Sequence, residues 1–358
     1  EFSDEFQTIL NWGKEIKTLG VKANADNERD SLQALKFGAE GIGLCRTEHM
    51  FFDDERILDV RRMILAEDLE AREAALEKLL PHQLKDFTEI FNAMEGKTVC
   101  IRLLDPPLHE FLPQPEDAPE VAKDLGVKTE DLLRALESLH EFNPMLGHRG
   151  CRLGVTYPEI SVMQAKAIIT AAINVTKAGK VVKPEIMIPL ISTVEELKYL
   201  KGFIKDTCDA LIAEAGIELE YKIGTMVETP RAALIGGKVG EEAEFISYGT
   251  NDLTQMTFGF SRDDAGKFLK EYAAKKIIPN DPFAAVDQEG VGQLVEMCTK
   301  NAKATNPNII VGVCGEHGGE PSSIDFFHRA GLNYVSCSPF RIPVAIIAAA
   351  QAELRNRK

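Results

Sequence analysis

Long apolar runs are missing from this sequence: nothing in its 358 residues approaches the roughly 20-residue stretch that spans a bilayer. No secretory signal is visible at the start, so a membrane role is not expected. Surplus positive charge is missing too. Lys and Arg number 41 against 56 Asp and Glu, a net charge of −15 with the signs interspersed, which excludes a general nucleic-acid-binding surface. The seven cysteines are odd in number, scattered and never spaced C-x-x-C. Neither a disulfide framework nor a zinc site is expected, and they read as reduced thiols of a cytosolic-type compartment. No Met opens the chain. It begins Glu1-Phe2, a possible cloning scar, and we expect an excised piece of a longer protein. What is present is a hydrophobic fraction of 44%, ordinary for a chain that buries a sizeable core.

This length fits one large α/β barrel or two ordinary domains, and the order of elements decides between them. Phe6, Ile9, Leu10 and Ile16 recur at helical spacing, which predicts an amphipathic helix within residues 1–20. Strand one follows at 21–25, then a helix capped by Asp26 or Asn27 with Leu32 and Leu35 facing inward, then strand two at 41–46. One long helical excursion, 53–92, leads to strand three at 98–105, halted by Pro106-Pro107. Residues 112–144 carry prolines and acids and read as a surface insertion with one helix, 129–140. A loop at 143–150 precedes a helix beginning near Pro158. The remaining strands are predicted at 185–190, 222–227, 245–249, 308–313 and 334–337. Thr193 and Glu196 form a capping box for the helix after strand four, which ends at Gly216. Pro230 suits the first turn of the next helix, and an apolar helix from Pro343 closes the chain.

The strand runs are apolar rather than alternating, as expected of strands buried on both faces. Eight βα units in a chain of this size imply the α/β class and a closed (β/α)8 TIM-type barrel. Long helical insertions follow strands two, three and six, all within a single domain, 1–358. An open doubly wound sheet would need a glycine-rich nucleotide loop after strand one, and none is there.

In such a barrel the carboxyl ends of all strands converge on one face. Arg46 ends strand two, Arg102 strand three, Glu228 strand five, Asn251 and Asp252 strand six, and Cys314 strand seven, while loops add Arg149 and Arg262. A single arginine there is ordinarily a surface residue or the partner of a barrel carboxylate. Several arginines beside only two carboxylates predict surplus positive charge, suited to phosphate and carboxylate oxygens. Glu228 and Asp252, on neighbouring strands, are placed to chelate one hard cation. Mg²⁺ takes one or two protein carboxylates and fills its octahedron with water and substrate oxygens. Asn251 offers a neutral hydrogen bond. Cys314 ends its strand among glycines, and nearby arginines are expected to favour its thiolate. His317 is expected to stabilise its loop. The composite suits a small dianion or trianion that passes through an enolate, with a thiol moving a proton at carbon.

Four stretches then resemble a known family: Gly41-Ile42-Gly43-Leu44-Cys45-Arg46-Thr47-Glu48, Met226-Val227-Glu228-Thr229-Pro230, Gly249-Thr250-Asn251-Asp252-Leu253-Thr254-Gln255 and Val313-Cys314-Gly315-Glu316. In this order, over nearly the whole chain, they are similar to the phosphoenolpyruvate-utilising enzymes. Pyruvate phosphate dikinase, phosphoenolpyruvate synthase and enzyme I of the sugar phosphotransferase system share that phosphoenolpyruvate/pyruvate-binding barrel. Residues 49–52, 102–111 and 258–268 resemble the dikinase branch. The resemblance implies Mg²⁺-dependent phosphoryl transfer between a phosphohistidine of a separate domain and pyruvate. In the full enzyme this is half of the conversion of pyruvate, ATP and phosphate into phosphoenolpyruvate, AMP and diphosphate.

The resemblance also implies roles. Arg46, Arg102, Arg149 and Arg262 hold phosphoryl and carboxylate groups; Gly249, Thr250 and Asn251 line the substrate; Glu228 and Asp252 ligate Mg²⁺; Cys314 protonates the enolate at its methylene carbon. The loop after Phe260 is a lid. The implied partners are phosphoenolpyruvate or pyruvate, the phosphohistidine domain of a parent chain and a second copy in a homodimer. The implied compartment is the cytoplasm, or a plastid or other organelle in a eukaryote. The family's ATP-binding and phosphohistidine domains are absent from this sequence. Competing readings are the barrel of the synthase or of enzyme I, a Mg²⁺-dependent carbon–carbon lyase acting through a pyruvate enolate, and a binding or dimerisation module without activity of its own.

Overall fold

Apolar strands that do not alternate have no wet face, and in this chain they bury both faces by closing on themselves. The computed structural model describes residues 2–358, so Glu1 of the expected first helix lies outside them. Eight parallel strands form a closed barrel in sequence order: β1 (Gly20–Asn24), β2 (Gly41–Arg46), β3 (Thr98–Arg102), β4 (Lys183–Ile188), β5 (Lys222–Val227), β6 (Phe245–Gly249), β7 (Ile310–Cys314) and β8 (Tyr334–Cys337). Closure is by β8 on β1, with Gly20, Val21, Lys22 and Ala23 opposite Tyr334, Val335, Ser336 and Cys337. This is the (β/α)8 TIM-type barrel the strand rhythm predicts.

Inside the barrel, Leu44, Cys100, Met187, Met226, Phe245 and Cys314 pack together. The Tyr334 ring lies so close to Gly312 that a Cβ there would run into it. Outside, strand residues such as Ile42, Ile101, Ile186 and Val311 pack against the helical shell in the main core. A separate core built on Phe51, Val60, Met63, Leu79, Leu104 and Phe111 secures the insertions after β2 and β3, and thereby the ends of those strands.

Several expectations are corrected. The excursion at 53–92 is two helices, Ile57–Leu65 and Leu69–Ala93, because Asp68 caps the second by accepting the Ala71 N–H at 2.7 Å. The insertion at 112–144 carries two helices, Ala118–Leu125 and Thr129–Leu139, the first stopped by Gly126 at φ 71°. A short helix, Cys151–Thr156, precedes the one starting at Pro158. Strand β3 stops at Arg102, three residues early: the Leu104 N–H goes to the buried side chain of Gln164 at 2.9 Å instead of to a neighbouring strand. Leu32 does not face inward. It is 51% exposed, while Ser31 and Ala34 of its helix Glu28–Lys36 are buried and Leu35 is half-buried; Ile9 on the first helix is exposed as well. In each case a neighbouring apolar residue, or a small one that allows closer approach, takes the inward face.

Thr193 and Glu196 do form the capping box at the start of helix Val194–Ala215. Glu196 accepts the Ser192 and Thr193 N–H groups at 2.8 Å each. Burial pushes its carboxyl up, but these bonds, with those from the Cys151 thiol and the Thr193 hydroxyl, outweigh it and hold the group below its ordinary value. Its stabilisation is therefore present above the ordinary carboxylate range and lost as pH falls through it. Glu196→Ala is expected to cost about 1 kcal/mol at pH 7, and less near pH 4, in urea unfolding.

Candidate active site

The ten side chains and backbone positions singled out in the sequence all line one cavity of about 210 Å³ at the carboxyl ends of the strands. Arg46 reaches it from the end of β2, Arg102 from the end of β3, Glu228 from just beyond β5 and Cys314 from the end of β7. Gly249 ends β6, but Thr250, Asn251 and Asp252 are not strand residues; they form the first turn of helix Thr250–Phe258. A larger cavity of about 630 Å³ adjoins this one and shares Arg46, Asn251, Arg262 and Gly315 with it.

The arginines are not in surplus. Arg102 pairs with Glu48, Arg149 donates to Asp105 at 2.7 Å and to Asp252 at 3.2 Å, and Arg262 donates to Glu316 at 2.5 Å. With Glu228 added, five carboxyl groups surround the four arginines: Asp105, Glu228 and Asp252 line the 210 Å³ cavity, while Glu48 and Glu316 hold Arg102 and Arg262 from outside its lining. The expected positive balance overlooked three acids. Asp105 stands three residues past Arg102 and immediately before Pro106-Pro107, a carboxylate at a strand rim that deserved a role. Glu48 and Glu316 each follow a predicted site residue by two positions.

Burial works against charge on Arg102 and Arg149, yet the facing carboxylates prevail and hold both above the ordinary arginine value. Glu228 is 2% exposed, and burial together with the carboxylates of Asp105 and Asp252 pushes its carboxyl well up. One of its oxygens accepts the Leu190 N–H at 2.8 Å. Leu190 offers that N–H from a left-handed φ of 63°, a strained setting for a branched side chain. Eight buried polar side-chain atoms lack a hydrogen-bond partner in the described residues, and five belong to this cluster: Glu48 Oε2, Arg102 Nε, Asp105 Oδ1, Arg149 Nε and Asn251 Oδ1. Buried polar groups are ordinarily satisfied, so this concentration makes the cluster the candidate ligand site.

The chemistry of the donors fits a hard dication. Two adjoining carboxylates, one of them destabilised as an anion by its neighbours, are hard oxygen ligands, and Mg²⁺ needs no more from a protein. Among the described residues no set of three or more His, Cys, Asp or Glu side chains converges as a ligand cage.

Cys314 is 1% exposed, receives a hydrogen bond from the Ser247 hydroxyl at 3.5 Å and donates to the Tyr248 carbonyl at 3.7 Å. The expectation of a thiolate is overturned. Burial pushes the thiol up and outweighs the lowering by Ser247, Arg46 and Arg102, so Cys314 is held as a thiol. His317 is fully buried; its Nε2 donates to the Pro282 carbonyl at 2.8 Å and its Nδ1 accepts from the Thr250 hydroxyl at 2.6 Å. It braces the turn bearing Asn251, as expected. Arg262 sits on a loop pinned by its own N–H to Gln255 at 2.8 Å and by a train of rings, Phe258, Phe260, Phe268 and Tyr272, with successive centroids 5.1–5.3 Å apart.

The family model described as "PEP-utilising enzyme, PEP-binding domain" matches residues 1–354. The chain belongs to this family. The pyruvate, phosphate dikinase of Clostridium symbiosum is 55% identical over 357 residues, covering 99% of this chain and 41% of its own length. The chloroplastic pyruvate, phosphate dikinase of Flaveria bidentis is 55% identical over 353 residues, covering 98% of this chain and 37% of its own. Pyruvate, phosphate dikinase 2 of Zea mays is 54% identical, with 98% and 40% covered. The chain thus spans about two fifths of the length of the curated relatives it matches. No helix among the described residues is long and apolar enough to cross a membrane.

Proposed function

We propose that this chain carries out the pyruvate half-reaction of a dikinase: phosphoryl transfer between phosphoenolpyruvate, or pyruvate, and a phosphohistidine presented by a separate domain. The charge balance of the cavity carries the reading. Three of the four arginines are already engaged by carboxylates, Arg102 by Glu48, Arg149 by Asp105 and Asp252 and Arg262 by Glu316, so a trianion in this cavity calls for the added positive charge of a divalent cation held by Glu228 and Asp252. Held there, Mg²⁺ would supply Lewis acidity that stabilises negative charge developing on the substrate.

The chain's own residues do the rest. Arg46, Arg102, Arg149 and Arg262 clamp the carboxylate and phosphoryl oxygens, and Asn251, with its Oδ1 buried and unpartnered, orients the three-carbon acid beside Gly249 and Thr250. As the phosphoryl group passes from the enol oxygen to the imidazole, the electron pair left on oxygen reforms the carbonyl. The methylene carbon then takes the proton of the Cys314 thiol, which recovers one from solvent. The reverse direction runs the same proton the other way. Barrel walls of Leu44 and Met226 keep water from the carbon. The same family reading supplies a homodimer and a cytoplasmic or plastid setting as part of this proposal.

Calorimetric titration with phosphoenolpyruvate and with oxalate tests it. Both should bind in the presence of Mg²⁺ and lose about 100-fold in affinity when Mg²⁺ is removed or when Asp252→Asn is introduced. Equal affinity with and without divalent cation would refute the cation's place in the site.

A further inference from the structure

The motif that delivers Arg46 ends in Glu48, and nothing in the proposed reaction uses it. We infer that Glu48 is a positioning residue: its carboxylate sets the guanidinium of Arg102 for the phosphoryl end of the substrate. This rests on the proposed function, in which Arg102 is one of four arginines that clamp the substrate's carboxylate and phosphoryl oxygens; its assignment to the phosphoryl end belongs to this inference.

Glu48 opens the single helical turn Glu48–Phe51 after β2, with its side chain 13% exposed and turned toward β3. The two residues Thr47 and Glu48 hold Arg102 at both ends. The Thr47 hydroxyl donates to the Arg102 carbonyl at 3.0 Å, and Glu48 Oε1 accepts from Arg102 Nη2. No other side chain among the described residues is hydrogen-bonded to that guanidinium. Asp105 Oδ2 lies 3.7 Å from Nη2, too far for a hydrogen bond, and is already engaged by Arg149 at 2.7 Å.

The rest of the guanidinium is uncommitted. Arg102 Nε is buried without a partner and Nη1 donates to no described residue, while Arg102 as a whole lines the 210 Å³ cavity. The one-point contact therefore anchors one corner of the group and leaves its other donors for a ligand. Glu48 also has slack: its Oε2 is buried and unpartnered, so it can take a second N–H if the guanidinium turns toward an incoming anion. Without Glu48 the strongest remaining attractions on Arg102 are Asp105 and then Glu228, on the side of the cavity where a cation would sit. A long side chain released from Glu48 would collapse onto those carboxylates. It would then compete with the cation for them and withdraw from the phosphoryl group.

This role needs both the reach of the acceptor oxygen and its charge, which holds Arg102 against Asp105, and two substitutions test them one at a time. Phosphoenolpyruvate and pyruvate are titrated calorimetrically into this chain with Mg²⁺. Glu48→Asp keeps the charge but retracts the oxygen by one methylene; it should weaken phosphoenolpyruvate by about tenfold and leave pyruvate within about twofold. Glu48→Gln keeps the reach but gives up the charge, and should likewise weaken phosphoenolpyruvate by about tenfold and leave pyruvate within about twofold. Arg102→Ala should lose at least as much phosphoenolpyruvate affinity as Glu48→Asp, and the double variant no more than Arg102→Ala alone.

A Glu48→Asp variant that binds phosphoenolpyruvate normally, or whose loss adds to that of Arg102→Ala, overturns the inference. So does either variant losing as much affinity for pyruvate as for phosphoenolpyruvate. Thermal melting of each variant separates lost affinity from lost fold. Failure of the unsubstituted chain to bind phosphoenolpyruvate would instead overturn the proposed function itself.

Discussion

Cys314→Ala is expected to slow exchange of the pyruvate methyl protons with deuterated water by about 100-fold or more, with phosphoenolpyruvate affinity within about twofold of the original. Apart from the guanidinium and carboxyl groups the thiol is the one ionisable side chain on the cavity wall, and it lies on the apolar side, packed with Leu44 and Met226. Its bond to the Tyr248 carbonyl is long, at 3.7 Å, so little is lost in redirecting that proton to carbon. Burial keeps it protonated, which suits the direction that makes pyruvate. As pH rises through the elevated value of the thiol, protonation of carbon should slow and proton abstraction should not. Nuclear magnetic resonance of the methyl signal measures both directions. Unchanged exchange in Cys314→Ala would remove the residue from the chemistry and leave it a packing group.

Arg149→Leu should destabilise the chain by about 3–5 kcal/mol at neutral pH, more than any other single change considered. Arg149 is 5% exposed and bridges Asp105 and Asp252, with Glu228 alongside. Removing it strands two carboxylates next to a third whose ionisation is already disfavoured by burial and by both of them. The penalty comes from the ionised forms, so it should shrink as pH is lowered and the stranded carboxyl groups take up protons. Urea unfolding at pH 7 and pH 5.5 measures this. Equal losses at both pH values would show that Arg149 stabilises by packing alone.

The barrel was legible because its strands advertise themselves. β2, β5 and β8 fall where apolar runs such as Gly41–Arg46 place them, since a strand buried on both faces has no polar positions to blur its ends. The helical layer was less legible. Whether Leu32 or Ala34 faces the core depends on the distance to the strand beneath, which periodicity does not encode. The candidate site shows the same division. Residues at strand ends could be collected by counting strands. Their mutual charge could not, because Glu48, Asp105 and Glu316 matter through the arginine each one touches, across 54, 44 and 54 positions of sequence. The Cys314 thiol was misjudged for a related reason: arginines nearby in sequence logic are outweighed by the solvent exclusion of a packed barrel.

The closing contact between β1 and β8 joins residues 20–23 to 334–337, more than three hundred positions apart. Contacts of that span must overcome nearly the whole loop-closure entropy of the chain before they return any stabilisation. The cavity draws on β2, β3, β5, β6 and β7 at once, so no early half of the barrel contains a usable fraction of it. A ribosome-bound chain lacking its last strand would present an open sheet edge and an unassembled rim, and its ligand-binding competence should appear late and in one step, together with closure.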